Sequence, residues 1–338
     1  MKSCLRPSHH TALHKNAGIT GLSACALGVS LLAAPLAFSA ENGAEEPAAV
    51  RFAVPPWPGV TVKSQLAATL FEALGYAPKQ QEIGATIAYQ AMSEDELDVY
   101  LAAWLPAQQG MYDTATQGKN KLIDLGNNVD GARLGFVVPD YMHEKGITSG
   151  KDLCSKDLQD KAGGTIYSIE IGSGTSDLLA DMQDNGTYCL DEWDLSETSA
   201  SGMFSQAKSM MKRDEWIVFY AWTPHWASIE YAIKFLDDPK DAWGPDGGRS
   251  DVRTLITPTF ADENPNATRL LEQLVFSADQ QSAMISGFSY EERPPEEVAL
   301  DWLRDNPAQV KAFLDGVTTR SGDPAWPAAQ KALDLPDA

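Results

Sequence analysis

Three tryptophans stand where β-type runs end, and each is followed within two residues by proline. They are Trp57 in Val54-Pro55-Pro56-Trp57-Pro58-Gly59, Trp104 in Trp104-Leu105-Pro106, and Trp222 in Trp222-Thr223-Pro224-His225. Proline stops a strand and turns the chain, so three such corners on three strands can converge on one cleft. An indole face attracts a cation within about 6 Å, and a desolvated contact is worth about 2 kcal/mol. A quaternary ammonium has no N–H to donate, so ring faces suit it. Core packing is the ordinary role of a single Trp, and it is kept for Trp193, Trp216, Trp243, Trp302 and Trp326.

A second signal is Ile169-Glu170-Ile171-Gly172-Ser173-Gly174-Thr175-Ser176-Asp177, which reads as a strand, a tight turn and a helix start. Exposed N–H groups at a helix start bind anions, and glycine lets a ligand approach the backbone. Gly172, Ser173 and Gly174 are therefore candidates for the anionic end of a small ligand. An ordinary turn with Ser173 or Thr175 as N-cap is the alternative. The later glycine of a dinucleotide fingerprint is missing, and no phosphate lysine follows.

The elements that must position these groups alternate. Val50–Val54, Leu97–Leu101, Leu134–Val138, Thr165–Ile171 and Trp216–Ala221 read as strands. Thr61–Leu74, Thr175–Gln183 and Met203–Lys212 read as helices, the first because Leu66, Leu70 and Leu74 are four apart and Gly75 follows. Short buried strands between helices predict α/β sheets with parallel pairing. The C-terminal quarter reads as helical over Leu270–Phe276, Gln280–Ile285, Pro295–Leu303 and Gln309–Leu314. Asn264-Pro265 and Asn306-Pro307 look like N-caps followed by Pro at the first helical position. Glu41–Ala48 and Arg320–Ala338 read as mobile ends.

The 338 residues allow about two lobes. A formal net charge of −21 argues against a nucleic-acid partner, which selects basic patches. Residues 1–40 have the layout of a secretory signal: Lys2, Arg6 and Lys15, then an apolar stretch densest over Cys25–Phe38, then small residues and an acidic start. A cut after Ser39 fits. A membrane anchor and a lipid anchor at Cys25, in Leu22-Ser23-Ala24-Cys25, are the alternatives. Outside this segment only Cys154 and Cys189 remain. In an exported chain that pair predicts one disulfide, worth about 3 kcal/mol if unstrained; two free thiols are the alternative. With no histidine nearby the two cysteines do not make a zinc site.

On these residues the chain resembles the periplasmic substrate-binding proteins of glycine betaine/choline ABC importers, the OpuAC-like family, over most of residues 50–315. The most specific pieces are Leu97-Asp98-Val99-Tyr100-Leu101-Ala102-Ala103-Trp104-Leu105-Pro106 and Ile217-Val218-Phe219-Tyr220-Ala221-Trp222-Thr223-Pro224-His225-Trp226. The resemblance implies an α/β bilobal periplasmic-binding-protein fold of type II, with two parallel or mixed sheets, flanking helices and a ligand cleft between lobes. Lobe 1 is expected over 47–132 plus 255–320, lobe 2 over 133–254, and a C-terminal tail over 321–338. Crossovers are expected near Asp130–Leu134 and Asp251–Leu255. The resemblance also implies an aromatic box in which Trp57, Trp104 and Trp222 match, with Ser173 in the segment that receives the ligand's polar end. Tyr167, Tyr220 and His225 are further candidates, Tyr167 or Tyr220 as a fourth ring. Two places depart from the choline-type branch: Gly59 stands where that branch has an acid, and Leu134 where it has a Tyr. The departures count against choline itself, and the Gly172–Ser176 turn better suits a ligand with a carboxylate, such as glycine betaine, carnitine or a sulfonium analogue.

The expected activity is capture of a quaternary ammonium compound in the periplasm and delivery to an ABC permease and its ATPase, as in uptake of osmoprotectants. The chain is expected to act as a monomer with no cofactor, no metal and no catalytic residue. A ligand-sensing domain for a membrane receptor would use the same site. An exported hydrolase is disfavoured: beyond the leader only His143 and His225 occur, and neither a Gly-x-Ser-x-Gly elbow nor a metal-type His pair is present.

Overall fold

The computed structural model describes residues 48–118 and 121–338. The expectations for the leader 1–40, for Cys25 and for residues 41–47 lie outside the described residues. In chain order the strands are β1 (Ala49–Val54), β2 (Ala77–Glu82), β3 (Val99–Leu105), β4 (Ile123–Asn127), β5 (Val129–Asp130), β6 (Arg133–Pro139), β7 (Thr165–Ile169), β8 (Asp194–Thr198), β9 (Val218–Thr223), β10 (Ile233–Phe235), β11 (Asp251–Ile256) and β12 (Phe276–Ser277). One five-stranded sheet has the order β2-β1-β3-β11-β4 and a second the order β10-β6-β9-β7-β8; β12 and β5 form a short ribbon.

Both large sheets are mixed. Strands reached by a helical crossover pair in parallel: β1 with β2 and β3, and β7 with β8 and β9. The strands that arrive from the other sheet, β6 and β11, enter antiparallel, which needs no helical crossover. Two runs cross between the sheets side by side. Asn128 N–H donates to the Val252 carbonyl, Ser250 N–H donates to the Ala132 carbonyl, and Arg133 bridges Arg249. Strand β11 starts at Asp251, opposite Leu105, so residues 251–254 lie in the first sheet rather than beyond it as expected.

Two hydrophobic cores follow the sheets. One joins Val50, Phe52, Leu66, Leu70, Tyr100 and Leu255 with Trp302 and Phe313, and the other joins Leu134, Phe136, Ile166, Phe204, Phe219 and Trp243. A small third cluster of Val129, Ala132 and Val252 lies at the crossovers. The first helix runs over Pro58–Ala73, three residues earlier than predicted, because Pro58 fits its first position, where no N–H partner is needed.

Three expectations change in the C-terminal region. The predicted helix over Leu270–Phe276 ends at Gln273, and Phe276 pairs with Val129 instead. Asn264 and Asn306 do precede helices that begin with Pro, but neither side chain accepts a capping bond; each donates back, to the Phe260 and Trp302 carbonyls, and closes the preceding helix. The stretch expected as a mobile tail holds a helix over Ala325–Leu333, and Ala325, Ala329 and Leu335 are buried in the first core. Cys154 and Cys189 form the disulfide, which joins two helical turns, Gly150–Cys154 and Thr187–Glu192.

Candidate ligand-binding site

One cavity between the sheets gathers Trp57, Trp104, Tyr220 and Trp222 with Ser173, Thr175, Lys63, Gln108 and Gln281. Trp57 is the N-cap residue of the first helix, with an extended backbone at the turn out of β1. Its indole N–H donates to Glu170 Oε1 at 2.7 Å, from the far side of the cleft, and this fixes the ring. Trp104 and Trp222 lie inside β3 and β9 rather than after them. The peptide bonds Leu105–Pro106 and Thr223–Pro224 beside them are cis. The half-buried Trp104 touches both main cores and the crossover cluster.

Tyr220 and Trp222 are two apart on β9 and so share a face; their ring centroids are 5.4 Å apart. Tyr220 stacks on Trp243, and Trp222 packs on Phe204 at 5.5 Å and His225 at 4.6 Å. Burial holds the Tyr220 phenol above its ordinary pKa, so it stays protonated.

The Gly172–Ser176 turn contributes less backbone than predicted. Gly172 N–H donates to Ser176 Oγ at 3.0 Å, and Ser173 N–H donates to the Glu170 carbonyl. Gly172 and Gly174 do not line the cavity; they let two segments meet. A Cβ on Gly174 would stand 2.7 Å from the Ala107 carbonyl oxygen, at a φ of +89°. Ser173 Oγ is buried beside the cavity without a protein partner. Across the cleft Gln108 Nε2 donates to the Ser173 carbonyl, and Thr86 donates to the Gly172 carbonyl through both Oγ1 (3.0 Å) and N–H (3.3 Å).

Two further candidates stand elsewhere. Tyr167 is half-buried on β7 against the second core and is not on the cavity wall. His225 lies behind Trp222, stacked on Phe204 at 4.4 Å, and its Nδ1 accepts the Ala227 N–H at 3.1 Å. Tyr220 is thus the fourth ring of the wall. Lys63, Gln108 and Gln281 were not anticipated. Lys63 is 1 % exposed, and its amine donates to Asn128 Oδ1. Burial without a carboxylate beside it lowers that amine to about 7. Gln281 fills the space above Gly59: a Cβ there would stand 2.7 Å from Gln281 Nε2.

Two mixed sheets joined by paired crossovers, with ligand-type residues converging between them, define a type II substrate-binding fold. Residues 48–305 match the family described as the substrate-binding domain of ABC-type glycine betaine transport systems, and the chain belongs to that family, which binds solutes and is not enzymatic. It is 32 % identical over 170 residues to the glycine betaine/carnitine transport binding protein of Listeria monocytogenes serotype 1/2a (strain 10403S), a match that covers 50 % of this chain and 55 % of that one. Among solved structures it resembles an ABC-transporter choline-binding protein in complex with choline, with a TM-score of 0.80 and 29 % identity over 84 % of this chain and 98 % of that one. It also resembles a lactococcal protein of the family in its closed, glycine betaine-bound form, with a TM-score of 0.70 and 25 % identity over 79 % of this chain and 99 % of that one.

Proposed function

We propose that this chain is the extracytoplasmic receptor of an ABC importer and captures a methylated onium zwitterion, glycine betaine or a close analogue such as carnitine or dimethylsulfoniopropionate, between two lobes. Lobe 1 comprises the first sheet with the C-terminal helices, and lobe 2 comprises the second sheet. Trp57 and Trp104 come from lobe 1, and Tyr220, Trp222 and Ser173 from lobe 2. The observation that carries this reading is the convergence of three indoles and one protonated phenol on a single cavity. A trimethylammonium head is weakly hydrated and offers no N–H, so ring faces suit it. A primary ammonium would leave its donors unpaired there. Closure excludes water from the rings, which strengthens each cation–ring contact. The closed form then docks on a permease driven by a cytoplasmic ATPase.

The test is calorimetric titration with glycine betaine, carnitine, dimethylsulfoniopropionate and choline side by side. Trp104→Ala should weaken the best ligand at least tenfold. This substitution is preferable to Trp222→Ala, because Trp104 is only half-buried, whereas Trp222 is buried against Phe204 and His225 and its truncation costs about 3–5 kcal/mol of stability as well. Unchanged affinity in a folded Trp104→Ala protein would remove Trp104 from the site.

A further inference from the structure

Among the described residues that line the cavity, one carries an amine. Lys63 stands one turn after Gly59 on the first helix and shares its face. An ammonium has three N–H donors; one of them goes to Asn128 Oδ1. Asn128 is itself fixed by donating to the Leu101 carbonyl and Thr254 Oγ1. In the same cavity Gln281 is 3 % exposed; its amide Nε2 is the atom that can donate to a carboxylate, whereas its Oε1, buried without a protein partner, only accepts. Both residues line the same cavity as the rings. At the Gly172–Ser176 turn the Gly172 and Ser173 N–H groups are already bonded within the protein, so what the turn offers an anion is the unpartnered Ser173 hydroxyl and the helix start at Thr175, not the glycine backbone.

We propose that Lys63 and Gln281 form the specificity-determining polar end of the cavity, where the carboxylate of a zwitterionic ligand meets the lysine ammonium, so that the site selects carboxylate-bearing onium ligands over choline. The inference rests on the proposed capture of an onium ligand by the rings, and it relocates the anionic end from the Gly172–Ser176 turn to the first helix. Gly59 bears on this end of the cavity, because a side chain there would push the Gln281 amide out of its present place. A carboxylate ligand pairs with the ammonium form of Lys63. A ligand that carries only positive charge is opposed by it.

The two ligand classes therefore respond to pH with opposite sign. With its pKa lowered to about 7, Lys63 changes charge near neutrality. Among the described residues no other lysine, arginine, histidine or carboxylate lines the cavity. Ala102 of β3 and Gln281 face the cavity without titrating, and Thr254 of β11 reaches Lys63 only through Asn128. The Pro295–Asp305 helix, packed on the first helix, buries Val298, Ala299 and Trp302. On the rest of the wall Tyr220 stays protonated, and His225, behind it, is lowered to about 3 and stays neutral. Glu170, near Tyr220 on the ring side, accepts the Trp57 indole N–H with Oε1, and its Oε2 is buried without a protein partner.

The experiment measures dissociation constants of the full chain for glycine betaine and choline between pH 6 and 9, for wild type, Lys63→Met and Lys63→Arg. In wild type the glycine betaine affinity should fall, and the choline affinity rise, as pH increases, so that their ratio changes at least tenfold. Lys63→Met should flatten both profiles and reduce the preference for glycine betaine at pH 6 at least tenfold. Lys63→Arg, which keeps its charge, should retain the preference and lose the pH dependence. A pH-independent ratio in wild type overturns the proposal even if no variant folds. If wild type binds no onium ligand, the ring box fails and the proposal fails with it. If wild type binds glycine betaine and Lys63→Met keeps both ratio and profile, the box stands and Lys63 has no part in selection.

Discussion

Glu170 never needs to touch a ligand to matter. It accepts the Trp57 indole N–H at 2.7 Å and so fixes one wall of the cavity from behind. Glu170→Ala should weaken ligand binding several-fold by freeing that ring, whereas Glu170→Gln, which keeps an acceptor, should bind close to wild type; titration of both variants checks this. His225 acts on stability instead. Its ordinary pKa is 6.5, and burial among Phe204, Trp222 and Trp226 lowers it to about 3. Between those values the unfolded chain binds a proton that the folded chain refuses, so this contribution is fully present above pH 6.5 and is lost as pH falls towards 3. His225→Asn, which keeps an acceptor for the Ala227 N–H, should show a smaller fall in melting temperature than wild type between pH 6.5 and 4.5. The ring-bearing residues were legible in the sequence because strand, Trp and Pro recur together. Lys63 was legible too, in retrospect: it interrupts the stripe Gly59, Lys63, Leu66, Leu70, and a lysine on the buried face of a helix is rarely idle. Gln108 and Gln281 gave no such signal, since a glutamine in a helical region is ordinarily a solvated one.

At the scale of elements, the pattern of apolar residues located the strands that bear the site, because β3, β6 and β9 are buried on both faces and read as continuous apolar runs. What it missed depends on tertiary partners. Phe276 extends only because β5 is beside it, and the Ala325–Leu333 helix is apolar on too narrow a face to be read without the core it covers. The disulfide ties two helical turns that carry little other regular structure. Replacing Cys154 and Cys189 together by Ser should lower unfolding free energy by about 2–4 kcal/mol in denaturant titration and leave ligand affinity nearly unchanged, because neither cysteine is near the cavity wall.

Across the whole molecule, two sheets and two adjacent crossovers set the geometry, and among the contacts that then span the cleft are Trp57 to Glu170, Thr86 to Gly172, and Gln108 to Ser173. The two-lobed plan was legible from length and alternation. The contacts between lobes were not, since they join residues 65 to 113 positions apart with no sequence mark. Thr86→Val removes the Oγ1 bond without altering a residue of the cavity wall. It should weaken the best ligand by a factor of about two to ten, measured by calorimetry, with the rank order of ligands unchanged. Every one of these bridges is made of protein atoms alone. The resting balance between gaping and shut forms is therefore written partly into the receptor itself, and observed affinity scales with whatever fraction is competent to bind. Editing those bridges would thus retune how readily the shut form is reached, while the pocket's chemical taste stays as it is.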